Sequence, residues 1–410
     1  MNKRSVALLV FLVTVSLTAF AQVEPAATGP SRPNGTFNYS LHDAESTWWS
    51  QGLGNSQSNT ASGVVGYING RARRPFTLNY SGGYSWTFSG STYGSGYFQN
   101  LGLSQAFVGR KWRLSITDNI SYRPQAPTYG FSGVPGTGEP ITGSGSTGTP
   151  TETVLTENTH TINNGTRVSY SMPLSFAISF FADAAYSILD YPDGNGLDTS
   201  SFLWSAGVSR RIAARTSLTA IFLESRFTYP GTPTSITTTG VLGTVSHGFR
   251  KKLTAHVSAG PEWITTSGIA NIPSSINYSL SAGLVYTRRF DNMSVNFDHG
   301  DNGGSGIFYG AEFNSVNATY TRRVEKDYSF AGRFGYQETA GLETGSGSAS
   351  GYFAGASASR RLGKLFSLGV IYTAAQQTAS SQLPGNTLNT LLQGVSVSLG
   401  YAPRGMKLEP

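Results

Sequence analysis

The stretch Phe76-Thr77-Leu78-Asn79-Tyr80-Ser81-Gly82-Gly83-Tyr84-Ser85-Trp86-Thr87-Phe88 decides how the chain is read. Its even positions are apolar or aromatic, apart from Gly82, and its odd positions are Thr, Asn, Ser and Gly. In a β-strand successive side chains point to opposite faces, so a period of two means one greasy and one polar face. The run is longer than the ~5–6 residues of a strand in a soluble sandwich. It is long enough for the ~9–11 residues of a tilted strand crossing a bilayer. The same pattern recurs at Leu174, Phe176, Ile178, Phe180, Ala182, Ala184, Tyr186 and Ile188. It returns at Ile276 to Tyr286, at Tyr328 to Tyr336, and finally at Val395, Val397, Leu399 and Tyr401. These alternations predict an all-β fold, a transmembrane antiparallel up-and-down barrel with lipid outside and a polar interior.

Composition agrees. The 410 residues contain no cysteine, which excludes disulfide frameworks, thiolate metal sites and cysteine nucleophiles. Charged residues are only 12%, about half the usual share, while Gly (50), Tyr (21) and Phe (23) are abundant. Mean hydropathy is −0.18, and no apolar run after the first twenty residues reaches transmembrane-helix length. Those first residues have the form of a secretory signal. Lys3 and Arg4 precede the apolar run Val6 to Phe20, and Ala19-Phe20-Ala21 is a small-x-small cleavage site. Residues 1–21 are therefore expected to be a signal peptide and 22–35, with Pro25, Pro30 and Pro33, a periplasmic leader. The barrel is expected over 36–402 and a periplasmic tail over 403–410.

Two kinds of connection alternate between the apolar runs. One is short and mostly basic: Arg71-Ala72-Arg73-Arg74, Arg110-Lys111, Arg210 to Arg215, Arg250-Lys251-Lys252, Arg288-Arg289, Arg322-Arg323 and Arg360 to Lys364, with Met172-Pro173 an uncharged member. The other is longer and rich in Gly, Ser, Thr, Asn and Pro, near 50–58, 89–93, 123–153, 190–199, 230–234, 266–273, 300–305, 339–347 and 377–387. Eight of the first and nine of the second imply eighteen strands, with both termini on the short-turn side. If the segments near 36–48 and 59–70 are not membrane strands, the count is sixteen.

A barrel of sixteen to eighteen strands is too wide for its own side chains to fill. Parity predicts a lumen lined by Ser, Thr, Asn, Gly and Gln, with Arg113, Asp183, Glu224, Arg226, His256, Glu262, Asp298 and Arg333 as charged or titratable wall residues. Such groups set size and charge selectivity, unless they merely pair across water. Glu224 and Arg226 face inward only if Ile221, Leu223 and Phe227 face lipid. Asp118 falls on the apolar face of Trp112, Ile116 and Ile120, which calls for a bulge or a protein contact. The strand from 307 changes phase between Phe313 and Val316, again suggesting a bulge. The 123–153 loop, with Phe131, Pro135 and Glu139, is a candidate constriction or else a surface loop. Trp49, Trp86, Tyr97, Trp112, Tyr122, Tyr186, Trp204, Trp263, Tyr286, Tyr309, Tyr320 and Tyr372 suit interfacial girdles.

Catalytic and cofactor signatures are missing. The five histidines are scattered, and no metal-ligand spacing, phosphate-cradling loop or nucleotide motif is present, so no enzyme activity, metal or cofactor is expected. The basic doublets sit at turns beside apolar strands, which fits lipid head groups better than nucleic acid.

The alternation, the leader and the last strand resemble the β-barrel porins of Gram-negative outer membranes. Pro75-Phe76-Thr77-Leu78-Asn79-Tyr80-Ser81-Gly82-Gly83-Tyr84, and the segment from Ser121-Tyr122-Arg123-Pro124 to Gly130-Phe131-Ser132-Gly133-Val134-Pro135-Gly136, look like uncharacterised barrel proteins of acidobacteria. Gly394-Val395-Ser396-Val397-Ser398-Leu399-Gly400-Tyr401 is similar to the C-terminal signal read by the barrel-assembly machinery, although nine residues follow Tyr401. The resemblance implies an outer-membrane location, with outer-membrane lipid, lipopolysaccharide and the assembly machinery as partners, and a homo-oligomer or periplasmic export partners besides. The expected function is passive diffusion of small hydrophilic solutes. A role in exopolysaccharide export, or a plugged structural or surface-binding barrel, are the alternatives.

Overall fold

The computed structural model describes residues 35–50, 54–89, 95–125, 159–194, 196–250, 252–268, 272, 274–304, 307–325, 327–383, 389–403 and 406–407. Phe131, Pro135 and Glu139, the expected signal peptide and most of the leader lie outside them.

Eighteen long antiparallel strands form one closed sheet. They are β1 (Thr36–Ser50), β2 (Gly54–Asn69), β3 (Phe76–Ser89), β4 (Gly96–Val108), β5 (Arg113–Gln125), β6 (Thr159–Pro173), β7 (Ile178–Asp190), β8 (Thr199–Ala213) and β9 (Thr216–Thr228). The second half is β10 (Ser235–Arg250), β11 (Leu253–Ser267), β12 (Ser275–Thr287), β13 (Asp291–Asn302), β14 (Ala311–Val324), β15 (Tyr328–Gly341), β16 (Ser348–Leu362), β17 (Phe366–Ala379) and β18 (Leu391–Tyr401). A two-residue β19 (Met406–Lys407) pairs with the start of β1. Each long strand pairs with its chain neighbours, and β1 pairs with β18 from Leu41↔Tyr401 to Ser50↔Leu392. Closure leaves no sheet edge, so backbone donors and acceptors are satisfied along the whole wall, the condition for crossing hydrocarbon.

The eighteen-strand count is that of the sequence reading, and the first two segments are full wall strands. Eight connections at one end are short, but the uncharged one falls at 174–177, so Met172 and Pro173 end β6 while Leu174 and Phe176 lie in the turn instead of on the wall, and Arg322, Arg323, Arg360 and Arg361 belong to β14 and β16. At the other end most are long, but the first spans only 51–53.

Burial is inverted relative to a soluble protein. Large apolar residues such as Trp49, Phe88, Trp112, Val257 and Phe334 are exposed on the outer face, while Ser58, Thr60, Ser187, Ser201 and Ser396 are buried on the inner one. The inner hydroxyls pair across neighbouring strands: Thr60 with Ser85 (3.2 Å), Ser187 with Ser201 (2.7 Å) and Ser46 with Ser396 (3.0 Å). Cross-strand pairing thus satisfies these hydroxyls, while Thr238, Glu262 and Ser315 are buried on the same face without a hydrogen-bond partner.

Two further sequence expectations are corrected, and for Asp118 the structure selects the protein contact over the bulge. The β13–β14 ladder runs from Asp291↔Arg322 to Asn302↔Ala311 with no shift, so there is no bulge near Phe313. Phe313 faces inward and is buried beside Gly300, and the phase change reflects its place in an inner cluster. Asp118 is likewise in regular register. Thr166 Oγ1 (2.6 Å) and Asn164 Nδ2 (3.4 Å), both on β6, donate to its Oδ1. Tyr309 is no girdle residue: it lies in the 303–310 loop with its ring 5.0 Å from that of Tyr229.

Candidate functional site: the inner wall and its mouth

The ladders, shifted only near strand ends at Gln57/Ser58, Arg211/Ala213 and Gly248/Arg250, fix which side chains share the inner face. Arg113, Arg167 and Asp183 face inward from β5, β6 and β7, opposite Ser171, Ala185 and Ser169 respectively. Asp183 Oδ1 accepts from Arg167 Nε (3.1 Å), Arg167 NH2 (2.9 Å) and Ser169 Oγ (2.5 Å). Arg167 was missed in the sequence reading. The inner series Thr161, Asn163, Gly165, Arg167, Ser169, Ser171 is the signal that would have found it.

A second group lies several strands round the wall. His256 and Glu262 on β11, Asp298 on β13 and Arg333 on β15 all face inward. Ser281 Oγ donates to Asp298 Oδ1 (2.8 Å). His256 leans over Gly283 of β12, where a Cβ would lie 2.1 Å from its Cε1. Only glycine there lets the imidazole lie flat along the wall toward Asp298. Glu262 is fully buried (0% exposed), with Asn277 opposite it on β12. Asn277 Nδ2 in turn donates to Asp301 Oδ1 (3.1 Å).

Glu224 and Arg226 do not line the lumen. Their neighbours Leu223 (4% exposed) and Phe227 (1%) are buried on the inner face, whereas Leu218 and Phe222 (37%) are exposed with Trp204 on the outer face. The ladder sets Glu224 opposite Trp204 and Arg226 opposite Phe202. The physical reason for the inverted phase is the mouth. At the long-loop end Phe227, Ile236 and Ile264 point inward and pack with Tyr229 and Ile272, against Leu197, Tyr309 and Leu342. The apolar residues of the upper part of β9 thus serve an inner core rather than lipid.

This core is built by loops folding into the mouth. Tyr229 donates its hydroxyl to Gly303 O (3.2 Å), tying the 229–234 connection to the 303–310 loop. Burial pushes the Tyr229 phenol above its usual range, so it stays a donor. The 303–310 loop turns at Gly304 (φ 86°), where a Cβ would strike Phe308 O at 2.0 Å. Phe308 then packs with Ala311, Ala349 and Leu383. The inward-folding loop residues that the structure describes are thus 303–304 and 307–310. On the outer side of the same end, Asp193 Oδ2 takes the His160 backbone N–H (2.9 Å) and faces ring Nδ1 (2.5 Å). These bonds hold the Asp193 carboxyl below its ordinary range.

Among the described residues no group of three or more His, Cys, Asp or Glu converges as a metal site. No family model matches the chain, and no curated protein matches it in sequence. Solved structures are similar in fold. Pseudomonas aeruginosa OpdQ is 11% identical with a TM-score of 0.45, over 92% of this chain and 98% of that one. Pseudomonas aeruginosa OprD is 9% identical with a TM-score of 0.44, over 93% and 98%. Acinetobacter baumannii OccAB4 is 9% identical with a TM-score of 0.45, over 93% and 100%. The finer likeness to acidobacterial barrel proteins gains no support from these comparisons.

Proposed function

We propose that the chain is an outer-membrane channel through which small hydrophilic solutes diffuse passively. The observation that carries this reading is the pairing of a closed eighteen-strand wall with an apolar outer face and a hydroxyl- and charge-bearing inner face. Such a wall suits lipid on one side and water on the other, and strands of this number enclose more space than their side chains occupy. The short-turn end is then periplasmic and the long-loop end extracellular.

Selection would act at two levels. The 303–310 loop and its apolar core narrow the extracellular mouth by size. Below them, solutes pass Arg113 and the Arg167–Asp183 pair on one side, and His256 and Asp298 on another. Charged groups on separate walls orient a zwitterionic solute more than they reject either sign.

The test is single-channel recording of the refolded full chain in a planar bilayer, with reversal potentials under a salt gradient. Stable steps with weak ion selectivity are expected. Silence from protein shown to be folded and β-rich would overturn the channel reading.

A further inference from the structure

The polar atoms stranded in the wall are gathered in one place. Among the described residues eleven buried side-chain atoms lack a hydrogen-bond partner, and seven of them lie on β10, β11, β13 and β14. Three of the seven are carboxylate oxygens: both of Glu262, and Oδ2 of Asp301. Asp301 is buried almost as deeply as Glu262 (2% exposed). Asn277 of β12 joins the two acids, standing opposite Glu262 and donating Nδ2 to Asp301 Oδ1 (3.1 Å). The β12–β13 ladder ends at Leu280↔His299, so this bond spans strands that have already parted. The carboxylates are close enough to repel each other. On the other flank Gly240 of β10 is opposite Glu262, and a Cβ there would lie 3.2 Å from Glu262 Cγ. Two residues along β10 the buried Thr238 hydroxyl is also without a partner. Toward the long-loop end Ile264 closes the site off with the apolar core of the mouth.

We propose that Glu262 and Asp301 hold a calcium ion in the wall beneath the mouth. Glu262 supplies both oxygens and Asp301 its Oδ2, with Thr238 Oγ1 beside them. A buried carboxylate must be paired or bound to a cation, and a buried polar atom without a partner marks the place of an ion or a water. A proton on Glu262 would remove one charge and leave the other oxygens without a donor. A divalent ion neutralises both acids and occupies all three oxygens. Every donor here is oxygen, which selects a hard cation. With two carboxylates the rest of the shell is neutral oxygen and water, which suits the flexible shell of about six to eight ligands around calcium. Magnesium requires a near-ideal octahedron and gives up its water reluctantly. The position also matters. Asp301 and Asn302 lead directly into the 303–310 loop, and Gly304 N–H donates to Asn302 Oδ1 (2.8 Å). An ion tying β11 to β13 therefore holds the base of the loop that narrows the mouth. This goes beyond the channel reading and does not rest on it, because the ion is part of the wall and not a permeating solute.

The probe is calcium chloride, titrated calorimetrically into the refolded full chain after stripping with a chelator. A zwitterionic detergent replaces lipid, so that anionic head groups contribute nothing. We expect a single saturable site, with magnesium weaker by roughly tenfold or more. Glu262→Gln and Asp301→Asn should each weaken calcium binding by roughly tenfold or more. Asp198→Asn, in the separate acidic connection that follows β7, should leave it unchanged. Amide exchange gives a second readout. At calcium about a hundred times its dissociation constant, opening of the 303–310 loop should be about a hundredfold rarer than in chelator. No saturable binding by the parent chain would overturn the site, and that result needs no variant to fold. Undiminished binding by Glu262→Gln, loss of binding in Asp198→Asn, or loop exchange indifferent to calcium would overturn it as well. None of these readouts is a conductance. A silent barrel that binds calcium would therefore overturn the channel reading alone, and a conducting barrel that binds none would overturn the site alone.

Discussion

Asp183 holds an arginine in the lumen with one carboxylate oxygen, and this sets what the pair can do. Arg167 is about half exposed, so the ion pair adds little to stability. Its effect is on the field a permeating ion meets. Asp183→Asn leaves Arg167 uncompensated, and the reversal potential in a salt gradient should move toward anion preference. Arg167→Gln should move it toward cations, and the double variant should sit near the parent. Arg167→Gln is expected to unfold within about 1 kcal/mol of the parent, the range of an exposed ion pair, and Asp183→Asn, which weakens three hydrogen bonds, to cost about 1–2 kcal/mol. Shifts of the same sign in both would contradict the lumenal placement. The inner-face residues were legible because a polar series on alternate positions needs no tertiary information. Glu224 and Arg226 were misread because two phases were open to β9, and only the mouth packing around Phe227 chose between them.

At the scale of elements, the strands and their number came from the sequence because lipid imposes alternation on each strand independently of its neighbours. The inward fold of the 303–310 loop did not, because it depends on contacts between connections far apart in the chain. Tyr229 and Gly303 are one such link. Tyr229→Phe keeps the ring and its packing on Tyr309 and removes one hydrogen bond. The expected loss is about 1 kcal/mol, confined to this loop and equivalent to roughly fivefold faster amide exchange over 303–310. Unchanged exchange there would mean that the loop is held by its apolar core alone. The 191–198 connection has a different anchor. Asp193 is held below its ordinary value by the hydrogen bonds from His160, so the anchor favours the folded loop wherever Asp193 is ionised. That contribution is complete above the unfolded value, near pH 4, and is lost as pH falls through the depressed folded value. Protease resistance of this loop should therefore persist at pH 7 and pH 5 and weaken as the pH falls below about 4. Asp193→Asn should be less resistant at pH 7 and keep only the pH dependence that Asp198, the acceptor of the Tyr191 N–H, carries. Loss of resistance already at pH 5 would show that another group controls the loop.

The whole molecule is a wall whose two faces answer to different solvents, and the cost of a charge should map that wall. Val257 lies on the outer face of β11, four residues from its short-turn end, among apolar neighbours on β10 and β12. Glu224 shares the outer face but lies eight residues from the short-turn end of β9, close to the ~9–11 residues at which a tilted strand leaves the bilayer, beside Trp204. Depth makes these positions unequal, since an arginine near the bilayer midplane costs ~2–4 kcal/mol and one near an interface ~0–1 kcal/mol. Val257→Arg should therefore destabilise the barrel by about 2 kcal/mol or more in reversible denaturant unfolding from lipid vesicles, and Glu224→Arg by less than about 1 kcal/mol. Thr244→Arg supplies the internal control. It sits one strand away on the inner face, where Thr244 Oγ1 donates to Ser258 Oγ (2.8 Å). There the guanidinium reaches the lumen and the cost should stay near that of one hydroxyl hydrogen bond, about 1 kcal/mol. Equal costs at Val257 and Thr244 would mean that the two faces see the same medium, and an eighteen-strand wall with no solvent asymmetry would not be a membrane channel.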